Sequence, residues 1–279
     1  TTVLNRILGQ SHGIRFGVLV NDFGELAIDG DLVRTHGGDT VTFANGCVCC
    51  TLGDGLLDTV DRLLASESPP EQFLVEASGV ADPRVIADYA SLHPDLSPDL
   101  VVIMVDAETI RARAEDDRIR DTVVRQLEAA NLFVINRCDL VEPDSVRDVD
   151  DWLARFSDAP RYATVRADIA PDVLAAHASP EELSRTLASN DPSSHGSPLA
   201  HDVFSTRSVP LSSTVTRARI VHALGTLGPG LVRAKGIVDT EEGLETVQWS
   251  GGHCTWRPYE GTNAPRTGLV VITLGAPDR

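Results

Sequence analysis

The sequence predicts an α/β protein, with a doubly wound, mostly parallel sheet followed by a second, smaller α+β unit. Three observations lead there. Short unbroken apolar runs alternate with stretches of helical spacing over roughly the first 160 residues. A Ser/Pro/Asp-rich passage, Ser189–Pro198, then interrupts the pattern and reads as a linker. The charge also changes there: residues 199–279 hold 8 basic and 7 acidic residues, against 16 basic and 34 acidic before them. The expected division is 1–188, a linker at 189–198, and 199–279.

The expected strands of the first unit are Phe16–Val20, Thr40–Phe43, Phe73–Glu76, Leu100–Asp106 and Leu132–Asn136. They are apolar throughout, the pattern of strands buried on both faces. Between them, Leu52, Leu56, Leu57, Val60, Leu63 and Leu64 recur at helical spacing, and Thr109–Ala130 and Asp144–Phe156 read as two further helices. In the second unit, Val203–Val209, Val232–Val238, Thr246–Trp249 and Leu269–Leu274 read as strands, with one helix at Val215–Leu227. This unit is expected to meet a client protein or to cover the first.

Composition narrows the function. With 24 Lys+Arg against 41 Asp+Glu, the net charge of −17 argues against a nucleic-acid partner, because phosphate neutralisation needs clustered cations. The strongest apolar run, Leu100–Val105, is strand-length, far short of the roughly 18 residues of a membrane span. Three of the 5 cysteines are Cys47, Cys49 and Cys50, which is not the spread of a disulfide framework, and no secretory leader opens the chain. A reducing cytoplasm is the expected compartment. The chain starts at Thr1 and its only methionine is Met104, so a processed or missing N-terminal piece is expected. Nothing in the pattern speaks to an oligomeric state.

Four words carry chemistry. Asn136-Arg137-Cys138-Asp139 closes an apolar strand. The Asp139 carboxylate can accept the paired N1–H and N2–H₂ donors of guanine, which adenine lacks, while the Asn136 amide holds the loop and the Arg137 stem lies along the base. A strand-end Asn/Asp cap is the plain alternative. Glu76-Ala77-Ser78-Gly79 follows another strand. Gly79 would let a backbone N–H approach a phosphate, and Glu76 could act on Mg²⁺ or orient water. An ordinary strand-to-helix turn, with Pro83 as the first helical residue, is the alternative. Asn45-Gly46-Cys47-Val48-Cys49-Cys50 places three sulfurs within four positions. Thiolates suit borderline cations such as Zn²⁺, bound at roughly 2.3 Å. Three ligands without a local fourth describe an open, exchangeable site; buried small hydrophobes and a redox pair at Cys49 and Cys50 are the alternatives. Asn21–Gly30, acidic and glycine-punctuated, suits a metal- or nucleotide-sensing loop or simply a surface loop.

Taken in order, these words resemble the CobW family of metallochaperone GTPases. Its run after the P-loop corresponds to Thr1–Asn5, its Asn-Glu-Phe-Gly-Glu loop to Asn21–Glu25, its Gly-Cys-x-Cys-Cys hallmark to Gly46–Cys50, and its two later words to Glu76–Pro83 and Asn136–Asp139. Arg233-Ala234-Lys235-Gly236, His201-Asp202 and Leu269–Thr273 resemble its C-terminal domain. The resemblance implies a P-loop NTPase-like fold and GTP hydrolysis to GDP, with Glu76 and Gly79 at the reacting phosphate. Thr1 and Thr2 would hold nucleotide, with the Thr1 hydroxyl on Mg²⁺, and Asn136, Arg137 and Asp139 would hold the base. Cys47, Cys49 and Cys50 would bind Zn²⁺, or Co²⁺ or Ni²⁺, with Glu25 as a transient oxygen ligand, and pass the ion to a client metalloprotein.

Three departures bear on this. Asp22 and Arg137 stand where the family commonly has Glu and Lys. Thr1 and Thr2 match the end of Gly-x-x-Gly-x-Gly-Lys-Thr-Thr, and the first strand, glycines and Lys that precede it are not among the 279 residues. For these residues alone, poor nucleotide affinity is expected, since the phosphates lose most of their N–H donors and an ammonium. A non-hydrolysing metal-binding or scaffold protein is therefore the second reading, and a thiol redox protein the third.

Overall fold

The computed structural model describes residues 2–8, 14–20, 40–44, 54–77, 79, 81–169, 171–174, 204–259 and 265–274. The expected linker and Thr1, Glu25, Cys47, Cys49 and Cys50 lie outside them. The first part runs α1 (Thr2–Leu8), β1 (Phe16–Val20), β2 (Thr40–Ala44), α2 (Asp54–Leu64), β3 (Gln72–Glu76), α3 (Pro83–Leu92), β4 (Val102–Asp106), α4 (Ile110–Glu115), α5 (Arg120–Glu128), β5 (Leu132–Asn136), α6 (Pro143–Leu153), β6 (Arg161–Ala163) and α7 (Pro171–Leu174). The second runs β7 (Phe204–Pro210), α8 (Arg217–Gly225), β8 (Leu231–Thr240), β9 (Gly243–Ser250), β10 (His253–Pro258) and β11 (Gly268–Leu274).

The α/β class stands, and every pairing in the first part is parallel. The ladder comes in two pieces, ordered β2-β1-β3 and β4-β5-β6, so β3 and β4 each present an edge unpaired with the other. The second part is one antiparallel sheet ordered β10-β9-β8-β11-β7.

β5 shows why its apolar run forms a central strand: Leu132, Phe133, Val134 and Ile135 are all buried. Leu132 and Val134 face a core with Val18, Tyr162, Phe204, Val232 and Ile272, which joins both parts of the molecule. Phe133 and Ile135 face the other way, onto Val123 and Leu127 of α5 and Val149 and Leu153 of α6. α3 begins where Asp82 accepts a hydrogen bond from the Arg84 N–H at 3.0 Å, with Pro83 at its first position.

The helix expected over Thr109–Ala130 is two helices. Asp116 ends α4 in an extended conformation, and its carboxylate accepts from the Arg118 backbone N–H at 3.0 Å and Arg118 Nε at 2.9 Å. An Asx turn offers the backbone an alternative to the next helical bond, and here it wins. β6 and β10 were not expected. β10 carries little buried apolar surface, and its place is set by pairing with β9 across a turn at Gly251 and Gly252, whose φ angles are 53° and 82°.

The antiparallel sheet docks at the starts of β4 and β5. The Arg233 guanidinium, 1% exposed, pairs with Asp99. Gln248 Nε2 donates to Asp99 Oδ1 at 2.8 Å and to the Pro98 carbonyl at 3.1 Å, and Arg257 donates to the Leu96 carbonyl. Gly251 lies so close to the Asn131 side chain that a Cβ would collide with it. The second part therefore packs on the first at the opposite ends of these strands from Asp106 and Asn136.

Two outcomes follow from this packing. Asp99→Ala leaves the buried Arg233 charge uncompensated and should cost roughly 3 kcal/mol, read as a lowered denaturant midpoint. Inside the antiparallel sheet, Arg217 Nε bonds Glu245 Oε2 at 3.0 Å and the Thr240 hydroxyl donates to the same oxygen at 2.6 Å. Arg217 chiefly, against the opposing effect of burial and with help from Thr240, holds the Glu245 carboxyl below its ordinary value of 4.5. A depressed folded value gives stability that is present above the unfolded value and lost as pH falls through the folded one. Melting temperatures between pH 7 and pH 3 should show a shallower acid decline for Glu245→Gln than for the parent.

Candidate functional site

The parallel register sets Asp106 of β4 opposite Asn136 of β5, and the Ala107 N–H donates to the Asn136 carbonyl at 3.1 Å. Beyond Asn136 the chain turns sharply. Arg137 adopts φ 63° and ψ 31°, and a short 3₁₀ turn, Cys138–Leu140, follows. A non-glycine residue in this left-handed region costs about 1 kcal/mol and is kept only where surroundings hold it. Here the Leu140 N–H donates to the Arg137 carbonyl at 3.0 Å and the Cys138 N–H to the Thr164 carbonyl at 3.3 Å. The turn leaves Asp139 exposed.

Asn136 itself faces inward. Its Oδ1 accepts the backbone N–H of Ala167 at 2.7 Å, which ties the end of β5 to the loop after β6. Arg166 and Ala167 also sit in the left-handed region, at φ 52° and 53°. The Thr164 and Tyr162 hydroxyls donate to the Asp168 carbonyl at 2.8 and 2.9 Å, and Arg6 of α1 holds the Asp168 carboxylate at 2.6 Å. This loop, Thr164–Asp168, was missed in the sequence: Val165-Arg166-Ala167 has no glycine or asparagine to announce a left-handed turn. Tyr162 has its pKa raised, mainly by burial. Cys138 likewise has its thiol pushed up by burial, and its Sγ donates to the Ile135 carbonyl at 3.2 Å.

Glu76 ends β3 and is half-buried, while Gly79 is exposed in the turn beyond it. The Gly79 and Ala81 carbonyls accept from Gln126 Nε2 at 3.2 and 2.9 Å. Among the described residues a Cβ on Gly79 would meet nothing within 4 Å. A long open cleft of about 1460 Å³ runs along the β3 and β4 edges, bordered by Thr2, Glu76, Gly79 and Asn136 and reaching Pro98, Asp99 and Arg233 at the docking face of the second part. The structure therefore brings four predicted residues, Thr2, Glu76, Gly79 and Asn136, to one cleft, while Arg137 and Asp139 stand beside it on the turn after β5.

Among the described residues no group of three or more His, Cys, Asp or Glu could hold a metal ion, and no helix is long and apolar enough to cross a membrane. His253 and Cys254 are neighbours on β10, so their side chains leave opposite faces and cannot converge on one ion.

The sequence model described as CobW/HypB/UreG, nucleotide-binding domain, matches residues 1–163. The zinc chaperone CobW of Sinorhizobium sp is 30% identical over 54% of this chain and 51% of its own. The zinc chaperone YjiA of Escherichia coli is 30% identical over 61% and 54%. A zinc-regulated GTPase metalloprotein activator of Dictyostelium discoideum is 28% identical over 61% and 44%. The chain thus spans about half the length of the curated relatives it matches. Among solved structures, Zn(II)-bound YjiA GTPase from E. coli matches with a TM-score of 0.42 and 20% identity, covering 99% of this chain and 91% of the other.

Asn136→Ala would leave the buried Ala167 N–H without its acceptor. A loss of about 2 kcal/mol is expected in urea unfolding, with the sheet otherwise intact by circular dichroism.

Proposed function

The chain belongs to the CobW/HypB/UreG nucleotide-binding family, and from that premise we propose that it is a guanine-nucleotide-dependent zinc chaperone. The observation that carries the reading is the turn after β5, with Asn136 pinned by Ala167, Arg137 left-handed and Asp139 exposed. An exposed carboxylate on a rigid turn suits the two adjacent donors of a guanine edge. Asn136, Arg137 and Asp139 would hold the base; Thr1 and Thr2 would meet the phosphate end, with the Thr1 hydroxyl on Mg²⁺. Bound nucleotide with Mg²⁺ supplies a phosphoryl group whose loss changes the charge beside Glu76 and Gly79.

Zn²⁺ is cargo in this scheme. Cys47, Cys49 and Cys50 would grip it as thiolates, with Glu25 as an oxygen ligand in transit, and a client metalloprotein would receive it. A full conformational switch of such a site, from 1:99 to 99:1, takes about 5.5 kcal/mol of differential binding, and a partial switch that changes affinity tenfold takes about 1.4 kcal/mol. Contacts of Glu76 and Gly79 with the terminal phosphate are the proposed source. The alternative, second reading is a metal-binding or scaffold protein of the same fold that does not turn GTP over.

Both readings are tested together. Zn²⁺ affinity measured with a GTP analogue should exceed that with GDP by tenfold or more, and Cys49→Ser should abolish tight binding in either state. Equal affinities in the two states, with no phosphate released from GTP, would leave the second reading.

A further inference from the structure

We propose that Asp106 is a positioning residue for the base-reading turn, holding Arg137 where its stem can lie along the base. This rests on the guanine-nucleotide reading and assigns a role to a residue that reading does not use. Asp106 ends β4, and its Oδ2 takes Arg137 Nη1 at 2.6 Å. The other oxygen, Oδ1, accepts the Glu108 backbone N–H at 3.0 Å, so the carboxylate is fixed from both sides. Glu108 Oε2 stands 3.6 Å from Arg137 Nη2 as a second, looser anion.

The pair is only partly buried, with the Arg137 side chain 48% exposed and that of Asp106 26% exposed. Ion pairs at such exposure add little to stability. What this one supplies is orientation. Arg137 pays a backbone cost to be left-handed, and its long side chain would otherwise sample many rotamers in water. Anchored by Asp106, the guanidinium is held and the methylene stem beneath it becomes a fixed apolar surface beside Asn136 and Asp139. Base hydrogen bonding belongs to Asp139; flat support of a purine face belongs to the Asp106–Arg137 pair.

The two roles separate by experiment. On the full chain, competition against a fluorescent GDP should show Asp106→Asn weakening GDP and IDP alike, by about tenfold, the usual worth of a charge-assisted bond. Asp139→Asn should instead change the choice of base, towards XDP. Arg137→Lys, which keeps a cation within reach of Asp106, should bind close to the parent level. Asp106→Asn combined with Arg137→Gln should be no worse than either alone.

A readout without nucleotide runs beside these. Peptide-resolved iodoacetamide labelling of Cys138, the next residue on the turn, should be several-fold faster in Asp106→Asn, and unchanged in Asp144→Asn, an exposed control. Parent-like GDP affinity, or parent-like Cys138 labelling, in Asp106→Asn overturns the positioning role. Absence of guanine-nucleotide binding by the parent chain even at millimolar GDP overturns the guanine reading instead, and Cys138 labelling then decides alone whether Asp106 holds the turn.

Discussion

The candidate site depends on one side chain that does two things across two strands. Asn136 closes β5 through its backbone, as the partner of Ala107, and closes the loop after β6 through its amide oxygen on Ala167. Either bond alone would leave a strand end free to fray. Together they hold two left-handed stretches, at Arg137 and at Arg166–Ala167, that a free chain would leave. The strain is local and the restraint comes from a parallel pairing that the four buried residues of β5 make secure. Functional turns at the carboxyl ends of parallel strands follow this logic: the sheet supplies rigidity and the loops supply chemistry.

The same sheet is held at its other end by different physics. There the contacts are charged and specific: Arg233 on Asp99, Gln248 on Asp99 and Pro98, Arg257 on Leu96. Among the described residues Arg233 Nε and Nη1 are buried without an acceptor, which makes this an orienting contact rather than an optimised one. The apolar part of the junction, through Val232, Phe204 and Ile272, supplies adhesion. The antiparallel sheet is thus set at the strand starts, and the carboxyl ends of β4 and β5 stay clear of its docking contacts.

Strands buried on both faces were legible to the residue: Phe16–Val20 and Leu132–Asn136 stand as expected, because continuous apolar runs bounded by polar residues admit few alternatives. The α/β class followed from their alternation with helical stretches. Less legible was whatever depends on a distant partner. β10 alternates, with Cys254 and Trp256 turned to the core and His253, Thr255 and Arg257 exposed, but it is only six residues long and takes its place from β9 beside it. The break at Asp116 was written in Asp116-Asp117-Arg118, yet a periodicity argument averages over such a turn. At the candidate site, Asn136 and Asp139 could be singled out from their spacing at a strand end. The loop that fixes Asn136 and the acid that grips Arg137 were not, since each lies about 30 residues away along the chain. The thiols Cys47, Cys49 and Cys50 rest on sequence and family alone.

α1 has seven residues, too few to persist as an isolated helix, so it takes its position from what it touches. Leu4, Ile7 and Leu8 root it in the shared core, and Arg6 fastens it to Asp168. Its first turn borders the cleft beside Glu76, and its last turn is moored to the loop that secures Asn136. One seven-residue helix thereby touches both the cleft wall and, through Arg6, the loop on which Asn136 is tied down.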